Sequence, residues 1–226
     1  MNKGFLITVM VAIILFALTG RVLGVQSFFG NTEENEEIIT EYFMGGDIWI
    51  RKSVDELSRR MTDIVRAVVL DSRVELINTS LSLDPKMPSN YRIHTVYQLK
   101  VLETFRGDAE VGDILEILQL GGRLGNRELV YFRHMPFEYG EELIFFMRYF
   151  KEEGFGHLPA SFPRQGVFRT SSLSETASIR ASESITQAFK ENPRIADIVL
   201  ESYYEEYPLT LTIGDLIRLT QENETQ

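Results

Sequence analysis

Three histidines, His94, His134 and His157, are the only imidazoles the chain offers for acid–base work or metal ligation, and it contains no cysteine. The missing thiols exclude disulfides, thiolate zinc sites and thiol nucleophiles. A hydrolytic triad needs one of the imidazoles beside a serine and a carboxylate, yet no Gly-x-Ser-x-Gly elbow occurs. No His-Glu-x-x-His spacing sets two imidazoles on one helix face, so a metal centre would have to be assembled from all three distant segments. That assembly would make the chain an exported metal-assisted hydrolase, the rival to the reading reached below. His94 falls on the polar side of a strand pattern, where exposure to solvent is the expectation.

The other chemistry-bearing types are equally scattered. Asp108, Glu110 and Asp113 share one loop, but the alternating ligands and glycine of a calcium loop are missing, so a solvated turn is expected. Gly107, Gly112, Gly121 and Gly122 are followed by no Gly-Lys-Ser/Thr, which removes the phosphate-loop reading. No cofactor is therefore expected. Among the aromatics, Tyr91, Tyr97, Phe105, Phe145 and Phe146 are assigned to a core. Trp49, Tyr131, Phe132 and Tyr149 form the candidate binding face, since barrels of the OB type present aromatic faces and loops to ligands. The formal net charge of −10 repels phosphate backbones and argues against nucleic acid as a partner.

These residues need elements to position them. Ser53-Val54-Asp55-Glu56 is a capping box opening a helix that runs to about Arg60. Beyond it the period becomes extended. Residues 63–76 give a first strand. The second is the clearest, with Tyr91, Ile93, Thr95, Tyr97, Leu99 and Val101 on one face and Arg92, His94, Gln98 and Lys100 on the other. Leu102 to Phe105 then turns apolar on both faces. Further strands are expected over 114–120, 128–132 and 142–150, with Gly121-Gly122 supplying a tight connection. A closing hairpin is expected from 154–159 and 166–170. Residues 183–204 have helical spacing broken at Asn192-Pro193, and Thr212-Ile213-Gly214-Asp215 opens a last helix.

Taken in order, these elements resemble a pattern of exported proteins of Gram-positive bacteria. The matching pieces are Thr62-Asp63-Ile64-Val65, Val101-Leu102 through Arg106-Gly107, Gly112-Asp113-Ile114, Gly121-Gly122, Gly140-Glu141-Glu142 and Gln165-Gly166-Val167-Phe168. The same order is similar to the netrin-like domain of the tissue inhibitors of metalloproteinases, a five-stranded OB-type barrel. The resemblance covers about Ser53 to Thr170. The chain departs from it at Ala67, where the family has glycine, and at Thr62, where it has serine. Without cysteine, the inhibitors' zinc-chelating chemistry is not carried over. The fold class so implied is mainly β with helical additions: a small antiparallel OB-type, netrin-like β-barrel, preceded by a short helix and followed by C-terminal helices.

At the N-terminus, Lys3 is followed by an uncharged stretch from Phe5 to Thr19, which ends at Gly20-Arg21. That is the pattern of a signal peptide, with cleavage expected between Gly24 and Val25, or of a retained anchor with Arg21 snorkelling to the interface. Removing residues 1–24 would leave a net charge of −12, because they carry Lys3, Arg21 and no acid. Export of a cysteine-free chain points to bacteria, and more narrowly to those with one membrane. The organisation expected is residues 1–24 as signal peptide or anchor and 25–50 as an acidic tether. Residues 51–170 would be the barrel, and 171–226 a Ser/Thr-rich linker with a helical extension. The functional expectation is an extracytoplasmic, non-enzymatic module that binds a protein, peptide or cell-envelope component and meets the membrane only through its N-terminal segment.

Overall fold

The computed structural model describes residues 37–44, 50–79, 91–149, 159–171, 173, 183–206 and 208–225. The architecture is that of the unit Ile38–Gln226. Trp49, His157, the first arm of the expected closing hairpin and the N-terminal segment 1–36 lie outside the described residues, as does most of the expected linker 171–182. Among the described residues no helix is long and apolar enough to cross a membrane.

The fold is mainly β with helical additions. In chain order the elements are β1 (Ile39–Phe43), α1 (Val54–Ser58), β2 (Asp63–Asn78), β3 (Tyr91–Arg106), β4 (Ile114–Leu120), β5 (Gly122–Leu124), β6 (Arg127–Tyr131) and β7 (Glu142–Met147). After them come β8 (Val167–Arg169), α2 (Ile185–Glu191), β9 (Val199–Leu200), β10 (Leu211–Thr212) and α3 (Ile213–Glu224). The central sheet is antiparallel throughout, in the order β4-β3-β2-β7-β8.

This sheet is open: its outer strands β4 and β8 do not pair, and among the described residues no sheet closes into a barrel. The expected barrel is corrected here. The strands that might have closed it are diverted. The segment after β4 turns at Gly121-Gly122 into a separate small sheet ordered β1-β6-β5. Gly122 must be glycine, since its φ is +130° and an added Cβ would stand 2.8 Å from Thr95 Oγ1. The expected tether is also revised in part. Ile39–Phe43 is a strand rather than a spacer, parallel to β6 and paired Ile39 to Arg127 through Phe43 to Tyr131.

Both faces of the central sheet are covered. One face packs Val65, Ala67, Val69, Tyr97, Leu99, Val101, Leu143, Phe145 and Met147 with Met135, Phe137 and Ala160. The other packs Ile64, Phe105, Ile144, Phe146 and Phe168 against α1, α2 and α3. Tyr97, Phe105, Phe145 and Phe146 are core residues as expected, but Tyr91, at 43% exposed, is not. It begins β3 where the β2–β3 ribbon has run past its neighbours. His94, expected to face solvent, is buried at 3% exposure, because β4 continues alongside β3 as far as His94 opposite Leu120.

The helical ends follow local rules. Ser53 Oγ accepts from the Glu56 amide and the Glu56 carboxylate accepts from the Lys52 amide, so α1 starts as expected, although it stops at Ser58. Thr212 and Asp215 form a reciprocal capping box for α3. The expected helix through 204 ends sooner. Pro193 opens a 3₁₀ turn over Pro193–Asp197, and the chain then extends into β9, paired with β10.

Candidate functional site

The described residues contain a cavity of about 470 Å³ between the end of β4, the end of α1, the loops after β6 and β7, and the 3₁₀ turn Arg164–Gly166. That volume suits a small molecule or one group of a larger ligand. Among the described residues its wall carries five arginines, Arg51, Arg60, Arg133, Arg148 and Arg164, and no aspartate or glutamate. In a chain with 33 acidic against 23 basic residues, such a wall is a local reversal of charge. Leu57, Met61, Leu118, Leu120 and Phe162 supply an apolar part, and Tyr131 and Tyr204 an aromatic one.

Each arginine is positioned by backbone that is itself fixed. Arg148 follows β7, and its backbone exchanges two hydrogen bonds with Ser161, at 2.8 and 3.0 Å. Arg51 precedes α1 and is tied to the 3₁₀ turn from both sides: its amide donates to Gln165 Oε1 at 2.7 Å and its carbonyl accepts from Gln165 Nε2 at 3.3 Å. Its guanidinium also reaches Glu56, at 3.3 Å. Arg133 stacks on Phe132 at 4.5 Å. Arg164 lies over the rings of both Tyr131 and Tyr204, each centroid 5.2 Å away. Two rings hold its plane, in the manner of a cation–π clamp, while its buried Nη2 has no hydrogen-bond partner among the described residues. Burial pulls the Arg164 guanidinium below its ordinary pKa, and the positive charge of Arg133 acts in the same direction. A guanidinium stays protonated under such a shift, so Arg164 keeps its positive charge in a partly dry setting. That arrangement can bind an oxyanion through charge-assisted, forked hydrogen bonds.

His134 stands beside this wall. Its Nδ1 lies 3.3 Å from the Leu120 carbonyl, which can only accept, so Nδ1 carries the proton and Nε2 faces the Tyr97 hydroxyl at 3.5 Å. His94 has the same tautomer, since its Nδ1 is 3.0 Å from the Arg92 carbonyl. Burial lowers the pKa of both from the ordinary 6.5. The sign follows directly. A depressed imidazole pKa stabilises the fold fully above about pH 6.5, and that contribution is lost as the pH falls towards the folded-state value. The denaturant midpoint is therefore expected to fall with pH below about 6.5, and a His94→Gln, His134→Gln double variant should flatten that part of the profile.

The aromatic face expected from sequence is divided by the structure. Tyr131 lines the cavity, and Phe132 stacks edge-on to it at 5.6 Å while remaining exposed. Tyr149 packs instead against the sheet core, where burial, with Asp63, Glu116 and Asp113 nearby, pushes its phenol up to about 12. Trp49 lies outside the described residues. Of the three histidines, His94 and His134 are placed and His157 is not described. No cluster of three His, Asp or Glu side chains fit to hold a metal occurs among the described residues.

The five arginines escaped the sequence reading because they come from five separated segments with no common spacing. A faint signal was available at Tyr131-Phe132-Arg133, where an arginine follows two aromatics, and at Pro163-Arg164-Gln165 in the segment before β8. Neither says that the two meet. The chain matches no family model, no curated protein and no solved structure, so the chemistry of the cavity rests on its own residues.

Proposed function

We propose that the chain is an exported or membrane-anchored extracytoplasmic binding module without a catalytic role, and that its ligand is an acidic group held in the arginine-lined cavity. The observation that carries this reading is the composition of the wall: among the described residues it has five arginines and no carboxylate, in a chain of net charge −10. Basic side chains gathered in a cleft make the local potential more positive than that of the molecule as a whole, which favours an anionic ligand there. Fixed guanidinium planes suit recognition of a group already present on a protein, peptide or cell-envelope component. The ordered motifs from Ser53 to Thr170 support kinship with netrin-like domains, and the uncharged stretch from Phe5 to Thr19 after Lys3 supports export.

Two experiments test the reading. Residues 1–60 fused to a reporter active only outside the cytoplasm should give a signal, and a silent fusion would remove the extracytoplasmic placement. The full chain, titrated calorimetrically with small oxyanions of both carboxylate and phosphate type, should bind at least one saturably and lose that binding on replacement of Arg164 by alanine. Heats without saturation for every anion would end the binding-site assignment.

A further inference from the structure

We propose that the outer edge of β1 is the surface on which a second copy of this chain docks, the two β1 strands pairing antiparallel about a two-fold axis at Tyr42. The backbone of β1 decides which of its groups are free. β1 is the edge strand of the small sheet ordered β1-β6-β5, and it runs parallel to β6 with Ile39 opposite Arg127. The Ile39 amide donates to the Asn126 carbonyl at 2.8 Å. In a parallel ladder alternate residues turn both of their backbone groups to the neighbouring strand, so Ile39, Glu41 and Phe43 serve β6. By the same alternation Thr40, Tyr42 and, just past the strand, Met44 point N–H and C=O away from the sheet, where no strand pairs with them among the described residues. Such an edge is a template for another strand unless lysine, proline or a bulge guards it. β1 has none of these, and its single charge, Glu41, is turned to Arg127 at 2.7 Å.

The side chains select the occupant and the register. Tyr42 and Met44 are 75% and 79% exposed, and Ile38 and Ile39 are exposed beside them. An antiparallel copy centred on Tyr42 sets this residue against the second copy's Tyr42, and Thr40 against its Met44. The most exposed apolar side chains of the edge then cover one another as cross-strand pairs, and about six backbone hydrogen bonds form, two for each facing pair. Charge agrees with this register. Glu41 lies opposite the second copy's Phe43, on the same face, and Arg92 rests over the Phe43 ring at 4.7 Å. The carboxylate of each copy thus meets a guanidinium of the other. Centring the pair on Glu41 would instead set two carboxylates face to face, which is destabilising, and centring it on Thr40 leaves Met44 outside. Because the same edge is used twice, the contact closes as a dimer, joining the two small sheets into one. A strand this short covers less than the roughly 1,200 Å² of a stable interface, so the dimer is weak and forms with rising concentration.

The absence of cysteine makes a clean test, because one introduced thiol is the only thiol. In the full chain, held in non-ionic detergent under mild oxidation, Tyr42→Cys should form a disulfide-linked dimer, since residues facing each other across the axis fall within disulfide reach. Val199→Cys is the control: it is exposed on β9, which shares no sheet with β1. Tyr42→Cys should link at least about tenfold faster than Val199→Cys. Thr40→Cys, which faces Met44 rather than itself, should link slowly. Sedimentation of the wild-type chain should show a mass that rises with concentration towards the dimer. Thr40→Pro removes only an outward N–H and spares the ladder to β6, so it should abolish that rise with an unchanged denaturant midpoint. If Thr40→Pro does not fold, Tyr42→Lys sets two ammonium groups opposite each other and should abolish it equally. A chain that stays monomeric, association that survives both substitutions, or Tyr42→Cys linking no faster than either Val199→Cys or Thr40→Cys would overturn the proposal.

Discussion

Replacing Arg66 by alanine is expected to lower the stability of the fold by about 3–5 kcal/mol, the range for removing one partner from a buried ionic cluster. Arg66 is 2% exposed, in the middle of β2. Its guanidinium approaches Glu103 at 3.7 Å and Glu142 at 3.4 Å, and Nη2 donates to the Glu183 carbonyl at 2.8 Å. Glu103 in turn accepts from the Ile185 and Thr186 amides, both at 2.8 Å, and from the Ser184 hydroxyl at 2.6 Å. One arginine therefore joins three strands of the sheet to the first turn of α2. The alanine variant leaves Glu142 half-buried with its cation gone, and desolvation already raises the pKa of that carboxyl. Denaturant midpoints measure the loss. Replacing the whole cluster with apolar side chains of similar volume should cost much less than Arg66→Ala alone, because no charge is then stranded. A cost for the single variant below about 1 kcal/mol, the level of an exposed pair, would mean that the cluster is not closed to water.

Leu99→Ala should cost about 2–5 kcal/mol, the usual result of deleting a buried leucine side chain and leaving its cavity. Leu99 has no exposed surface, and it sits among Val69, Ala67, Leu143 and Phe145 in one of the two cores. Its neighbour Gln98 points the other way, half-buried, with Nε2 donating to Glu116 at 3.2 Å. Gln98→Ala should stay within about 0.5–1.5 kcal/mol, the net worth of one ordinary hydrogen bond. The two midpoints together report the register of β3, since a one-residue slip would exchange the two faces and reverse the order. Small, equal effects would remove β3 from the core altogether.

These two predictions differ in how far sequence reaches. The place of Leu99 was legible from the strict alternation of Tyr97, Leu99 and Val101 with Gln98 and Lys100, because a period of two leaves one assignment of faces. The same locality explains why Ile114–Leu120 was legible to the residue, and why the helix starts at Ser53 and Thr212 could be read from four residues each.

The role of Glu103 was not legible, because strict alternation puts it on the face of Val101. The structure places a bulge at Leu102: Ala67 pairs with Val101 but Arg66 with Glu103, one residue further on. The extra residue turns Glu103 to the opposite face, beside Arg66 and under the first turn of α2, some 82 residues away in sequence. No local pattern encodes a bulge whose purpose lies in a distant helix.

Sheet closure was decided in the same non-local way. Strands with the right patterns existed for a barrel, but an open edge or a closed one depends on where β4 and β8 end up, and Gly121-Gly122 sends the chain into a second sheet instead. The candidate site is the extreme case. Alternation, capping and turn chemistry each act over a few residues and were readable; a cavity lined by Arg51, Arg60, Arg133, Arg148 and Arg164 exists only once five segments have been brought around one volume. The sequence by itself determined which faces of the strands are apolar and where the helices begin, and the tertiary structure alone decided which charges meet.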